Sequence, residues 1–274
     1  AGEVSGLIRE GGGAQFDLTS NGFEFDPTPY FPKAWSFDDV STKGSLSEDR
    51  SSLELEAYDF VVNEIRFRGK AKLSDAPEAS EGQIPFSLSA SGETEGTITA
   101  QQVLDFWPKS LGSGARNFAE KKILAGRATA ASYDLNLRPD SFAEGFLRDE
   151  DLTVRFFVDG ASVKFLEELP PITDGIGTGR LTGNGFTVQL SEGKFDGWSL
   201  SEGSVQFPKF NPKGELFRVY VKGTGPLVNV MRNIFESSLL EEGETAVDPD
   251  RFSGDASAAF EMFRPALDNV TMED

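Results

Sequence analysis

Few residues in this chain are spaced for chemistry, and each such spacing has a plainer structural reading. Ser191 and Lys194 in "SEGK" have the Ser-x-x-Lys spacing of a serine nucleophile with a lysine base. That pair works at the start of a buried helix, whereas these four residues read as a hairpin turn. "GIGTGRLTG" (175–183) is glycine-rich but lacks the G-x-G-x-x-G order and the strand-to-helix setting of a phosphate cradle. Its glycines are expected to serve turns and bulges. Asp248, Asp250 and Asp255 could surround a calcium ion, but not in EF-hand order, and a solvated acidic loop is the preferred reading. Arg66, Arg68, Lys70 and Lys72 alternate along one strand face and could hold an anion. Glu54 and Glu56 on the preceding strand favour cross-strand pairing instead. Asn269–Thr271 forms a glycosylation sequon of the kind chance supplies. Among 45 acidic residues, no two are singled out as a glycosidase pair.

Composition narrows the chemistry further. The 274 residues include no His and no Cys. That removes the commonest general base, the usual partner of a serine nucleophile, thiolate metal sites and disulfides. A net charge of −19 argues against a nucleic-acid partner, whose phosphates need a basic surface. No run approaches the roughly 20 apolar residues that span a bilayer. The start, "AGEVSGLIREGGG", lacks the apolar segment of a signal peptide. The end, "FRPALDNVTMED", reads as a cut, so the chain is expected to be a piece of a longer one.

What the sequence does supply is strands. "AQFDLTSNGFEFD" reads as a hairpin about Asn21-Gly22. "SSLELEAYDF" and "EIRFRGKAKL" alternate, the second with Ile65, Phe67, Ala71 and Leu73 opposite its four cations. Leu152, Val154, Phe156 and Val158 lead to an expected turn at Asp159-Gly160, with Val163 and Phe165 on the return strand. A second hairpin is expected at Asn184-Gly185. Helix is expected only over 99–107, with Thr99 as N-cap, over 113–122 and over 226–237. "SGDASAAFEMF" begins a further strand. The segments are therefore a β-meander over 1–98, a helical pair over 99–122, a second meander over 123–237, and an acidic loop with the start of another β unit over 238–274. The expected fold is mainly β: an extended, twisted antiparallel sheet curled into a groove, with a few short helices. Pattern alone leaves open whether its apolar face is a trough or a covered core.

The middle of the chain resembles a known family. "VLDFWP", "ARNF" and "ILAGRAT" follow one another as Tyr-Trp-Pro, Arg-x-Trp and Gly-Arg/Lys-Val do in AsmA-like envelope proteins of the large YhdP type, related more distantly to TamB. The matching residues are Phe106, Trp107, Pro108, Arg116, Phe118, Gly126 and Arg127; Phe118 stands where the pattern has Trp. The similarity continues through 152–197, "FRVYVKGTGPLVNVMRNI" and "SGDASAAFEMFRPALDNV", and covers roughly 85–270. The first 85 residues match in style only. The resemblance implies a periplasmic body anchored in the inner membrane of a Gram-negative bacterium by parts outside this chain. It also implies a β-groove that shields lipid acyl chains between the two membranes.

The leading expectation is thus a non-catalytic module that needs no cofactor and no metal. Its partner is a phospholipid or other acyl-chain lipid, with other envelope proteins as further partners. The groove candidates are Leu152, Val154, Phe156, Val158, Val163, Phe165, Phe186, Val188, Leu190, Phe217, Val219 and Val221, while Phe106, Trp107 and Phe118 are expected to plug the helical pair onto the sheet. Two other readings stand beside it: an envelope scaffold that binds proteins through a patch on a filled core, and a carbohydrate-active β-enzyme with two carboxylates about 5–10 Å apart in a polar cleft.

Overall fold

The computed structural model describes residues 2–8, 12–109, 113–165, 169–235 and 248–265. The first strands are β1 (Gly2–Ile8), β2 (Ala14–Phe25), β3 (Trp35–Leu46), β4 (Ser52–Val62), β5 (Ile65–Asp75), β6 (Phe86–Glu95) and β7 (Thr97–Thr99). After helices α1 (Ala100–Asp105) and α2 (Ser113–Lys122) come β8 (Ile123–Leu137), β9 (Leu152–Val163), β10 (Ile172–Thr182), β11 (Phe186–Phe195), β12 (Trp198–Phe207) and β13 (Leu216–Pro226). Helix α3 (Leu227–Phe235), a 3-10 turn (Pro249–Arg251) and β14 (Asp255–Pro265) complete the order. The fold is mainly β, and all fourteen strands belong to one antiparallel sheet that is not closed. Strands lie in chain order from β1 to β14, except that β7 pairs with β8 off the main path. Nearest-neighbour pairing is what short turns between long alternating runs produce.

Helices occupy the three expected windows, residues 236 and 237 of the last lying outside the described residues. Thr99 caps α1 in a capping box: its hydroxyl accepts from the Gln102 N–H, and the Gln102 side chain accepts from the Thr99 N–H. The turn expectations divide. Asn184-Gly185 lies between β10 and β11 as read. Asn21-Gly22 does not turn the chain, because β3 offers a partner along the whole of β2 and Phe23 stacks on Phe37 with ring centroids 4.7 Å apart. Asp159-Gly160 likewise sits inside β9, where Gly160 takes φ 63° as a local irregularity and not as a reversal. Ser191–Lys194 is interior to β11; the turn that follows is Asp196-Gly197, with φ of 44° and 79°. Positive φ at both positions matches the twist of a two-residue hairpin. Gly175, Gly177 and Gly179 lie within β10 and not in turns; a Cβ at Gly177 would overlap the Gln189 carbonyl of β11.

The chain forms two contact units that interleave along it. Unit 1 comprises 1–113, 128–156 and 180–184; unit 2 comprises 114–127, 157–179 and 185–274. The four consecutive segments divide the chain by element type, the units by proximity. Helix α1 belongs to unit 1 and α2 to unit 2. In unit 1, Ile65, Ile98 and Ala131 form a buried cluster against which Phe67, Phe106, Ala128 and Phe156 pack. In unit 2, Trp198 is buried over Gly225 and its indole N–H donates to the Pro226 carbonyl at 2.9 Å.

A polar staple fixes the β8–β9 connection of unit 1. Asp151 is fully buried and accepts from the Ser141 hydroxyl (2.9 Å), the Arg148 N–H (3.0 Å), the Arg148 Nε (3.3 Å) and the Arg138 Nη2 (3.1 Å). Burial opposes its charge, but the bonds from Arg148 and Ser141 outweigh burial and hold its pKa below 3.8. A carboxyl with a depressed folded pKa stabilises above its unfolded value and loses that contribution as pH falls. Asp151→Asn should therefore cost about 1.5–3 kcal/mol at neutral pH, since it replaces a buried charged acceptor that binds Ser141 and two partly exposed arginines. Denaturant melts should show the gap from the parent protein narrowing as pH drops below about 3.8.

Candidate functional site: the apolar sheet face

The two faces of the sheet differ in kind. On β5 the outward residues are Arg66, Arg68, Lys70 and Lys72, and their surroundings are acidic. Arg66 and Arg68 share Asp59 at 2.6 and 3.0 Å, Arg68 also meets Glu95 at 2.8 Å, and Lys72 lies opposite Glu54 in the register. The hydrogen bond from Arg66 leads the effects that lower the Asp59 pKa. The pairing read for these cations is cross-strand as expected, but Asp59 and not Glu56 supplies the second carboxylate, because the β4–β5 register shifts between Leu55 and Tyr58.

The inward face of unit 1 is built from rows that run across the hydrogen-bonded strands. One row is Ala14, Leu46, Leu53, Leu73, Leu88 and Leu137. The next is Phe16, Gly44, Leu55, Ala71, Ala90 and Leu135, and the third is Leu18, Thr42, Tyr58, Gly69, Gly92 and Tyr133. Beyond it lie the aromatics: Phe60 beside Phe67, Phe37 beside Phe60, and Trp35. Helix α1 covers this aromatic end. Phe106 sits 5.7 Å from both the Trp35 and Phe67 rings, and Lys33 of the β2–β3 loop pairs with Asp105 at 2.8 Å. The five leucines at the other end are only partly enclosed: Leu46, Leu53, Leu88 and Leu137 are half-buried, and Leu73 is 37% exposed. Five strands at about 4.8 Å spacing make that strip roughly 19 Å long. The groove candidates did not include it. Its signal, one leucine near the end of each strand, appears only when the register is known.

The structure divides the groove candidates between the units. Leu152, Val154 and Phe156 belong to unit 1, all half-buried, with Phe156 held against the Ile65–Ile98–Ala131 cluster. Val158, Val163, Phe165, Phe186, Val188, Leu190, Phe217, Val219 and Val221 belong to unit 2. There Val188, Val205, Val219 and Met262 form one cross-strand row and Leu190, Gly203, Val221 and Phe260 the next. Val219 is buried, while Phe260 is 41% exposed on the last strand. Phe186 pairs with Phe207, whose ring stacks on Phe217 at 4.7 Å. Phe118 of α2 packs on Phe165 and Phe207, at 6.2 and 5.8 Å. Phe106 and Phe118 thus anchor their helices to different units. Trp107, Pro108 and Arg116 are half-buried. Gly126 takes φ 135° where β8 passes close to Ala161, and Arg127 pairs with Asp159 at 2.6 Å.

The chemical spacings are engaged otherwise. Lys194 pairs with Asp174 at 2.8 Å, and that bond raises its pKa, which disqualifies it as a neutral base for Ser191. The Ser191 hydroxyl donates to the Ile176 carbonyl. Asp248 caps the 3-10 turn and Asp250 pairs with Arg232 at 2.6 Å. Among the described residues no group of three His, Cys, Asp or Glu is gathered for a metal. The Asn269–Thr271 sequon lies outside the described residues.

An open antiparallel sheet with a charged face and an apolar face, the latter covered only in part, defines a β protein whose most distinctive feature is a surface. The chain matches the YhdP protein family over residues 2–270 and belongs to that family of AsmA-like envelope proteins. No curated protein and no solved structure matches it. Among the described residues, no helix is long and apolar enough to cross a membrane.

The third row depends on bare backbone. A Cβ at Gly92 would overlap the Arg68 carbonyl oxygen and stand 2.6 Å from the Tyr133 hydroxyl, and one at Gly69 would overlap the Ser91 carbonyl oxygen and stand 2.7 Å from the Tyr58 hydroxyl. Gly92→Ala should therefore displace the adjacent β5 backbone as well as the tyrosine and cost about 1–3 kcal/mol, the usual effect of overpacking. Ala90→Gly, one row away, should cost less in the same thermal melts.

Proposed function

We propose that this chain is a non-catalytic periplasmic section of an envelope protein whose apolar sheet face shields lipid acyl chains on their way between the two membranes. The observation that carries the reading is the leucine strip of unit 1. Five large apolar side chains lie in one cross-strand row, none buried, with charged residues confined to the opposite face. Partly open apolar surface of this regularity calls for an apolar occupant. A hydrocarbon chain laid on it gains about 0.8 kcal/mol for each methylene withdrawn from water. No nucleophile, acid, base or metal takes part. Membership of an AsmA-like envelope family agrees with this role.

The test places charge on the strip. Leu73→Asp with Leu88→Asp should leave a folded protein, because these side chains are only partly enclosed and surface changes cost little. Native mass spectrometry of protein purified from a Gram-negative host should then show co-purified phospholipid in the parent and a loss of it in the double variant. Unfolding of the variant would mark the strip as core, since an unpaired buried charge is costly. A folded variant that carries lipid as before would refute the reading. Loss of a bound protein instead of lipid would move the function to a protein-binding module.

A further inference from the structure

The third row of unit 1 holds a device that the lipid-shielding reading does not use. Tyr58 and Tyr133 come from strands separated by two others, and their side chains lie flat across Gly69 and Gly92 until the two hydroxyls meet in a hydrogen bond. Tyr58 is only 7% exposed. Two phenols joined by one O–H···O bond carry two protons, and the bond employs one. Among the described residues neither hydroxyl has a further partner. The pair is partly buried, Tyr133 being more open than Tyr58, so the second proton can be met by an acceptor brought to the face.

The surroundings say which kind. On the aromatic side the pair is flanked by Phe67 and Thr94, and the Thr94 hydroxyl donates to the Ala131 carbonyl. On the leucine side its neighbours are Ala71 and Ala90, the two smallest side chains on that part of the face, with Leu73 and Leu88 just beyond. Only methyl side chains thus stand between the hydroxyls and the leucine row on these two strands. No Lys or Arg belongs to any of the three rows, so nothing there would neutralise a carboxylate or a phosphate. The acceptor that fits is a neutral one.

We propose that the Tyr58–Tyr133 pair is a hydrogen-bond donor for the ester carbonyl of a fatty acyl ester, seated over Ala71 and Ala90 with its hydrocarbon on the leucine strip. The pair positions the ligand along the strip, which a purely apolar face cannot do. Burial raises the pKa of Tyr58 against the opposing effect of its bond to Tyr133, and burial also raises that of Tyr133, so both phenols keep their protons at neutral pH. The inference rests on the shielding reading but adds a polar requirement to it.

The probes are a pyrene-labelled fatty acid methyl ester and the matching pyrene-labelled alkane, titrated onto the intact chain and read by fluorescence. The parent protein should prefer the ester by about three- to tenfold, the worth of one net hydrogen bond. Tyr58→Phe and Tyr133→Phe each leave one hydroxyl, released from its partner, so each should keep the preference. The double variant should lose it while binding the alkane as before. An ester preference that survives in the double variant overturns the proposal, as does a parent protein that shows none, whose spare proton then serves water. Binding of neither probe to the parent defeats the shielding reading and this inference with it. Should the double variant fail to fold, the carbonyl-13C ester decides on the parent protein: its stretch should move to lower wavenumber on binding, and an unmoved stretch overturns the assignment.

Discussion

Everything on the apolar face depends on keeping the side-chain phase of each strand across its irregularities. Side chains alternate with period two, so one inserted residue sends every later side chain to the other face. In β3 the inward residues are Trp35 and Phe37, then Val40, Thr42 and Gly44. The change from odd to even occurs at Asp39, which has φ 49° and lies where the register shifts. In β4 Leu53 and Leu55 give way to Tyr58, Phe60 and Val62 across another shift. Without the shift in β4, Tyr58 and Phe60 would share a face with Arg66 and Arg68, and Asp59 would turn inward. The irregularities place the aromatic end and the leucine end on one side of unit 1.

Once the phase is kept, covering decides what each end does. Helix α1 is short, but Leu104 is buried and Phe106 lies between Trp35 and Phe67 against the buried Ile65–Ile98–Ala131 cluster, so the core of unit 1 gathers at the aromatic end. Leu46, Leu53, Leu88 and Leu137, on the far side of the tyrosine row, are half-buried, and Leu73 is exposed. Within unit 1 enclosure thus falls from the cluster beneath α1 toward the leucine row, where Leu73 is 37% exposed.

The legibility of this arrangement in the sequence follows from which interactions are local. The helix windows, the Thr99 cap and the strand-rich segments rest on period and capping within a few residues, and they appear where read. The Asn21-Gly22 and Asp159-Gly160 pairs carry good local turn signals, yet long partner strands override them, since a strand with a neighbour along its whole length has no reason to reverse. Ser191 and Lys194 fail as a dyad for the same reason: their strand continues. The Asp151 staple, the leucine row and the Tyr58–Gly69–Gly92–Tyr133 row were not legible. Each joins residues from different strands or loops and exists only when the register is set. Glycines at 69 and 92 look like strand weaknesses in sequence, whereas the fold uses them as seats for tyrosine rings. The family motif is in part structural: Gly126 permits a close strand approach, and Phe118 occupies a contact with Phe165 and Phe207 where the pattern has Trp.

The central claim, that an acyl chain lies on the inward face and not on the outward one, is tested most directly by photo-crosslinking from single positions on β6. A benzophenone side chain at Leu88 points into the strip, and one at the adjacent Ser89 points to the charged face beside Lys72. After irradiation in cells and purification, mass spectrometry should find adducts with the mass of a phospholipid at position 88 and none at position 89. Equal labelling at both positions, or no lipid adduct at position 88, would contradict the account.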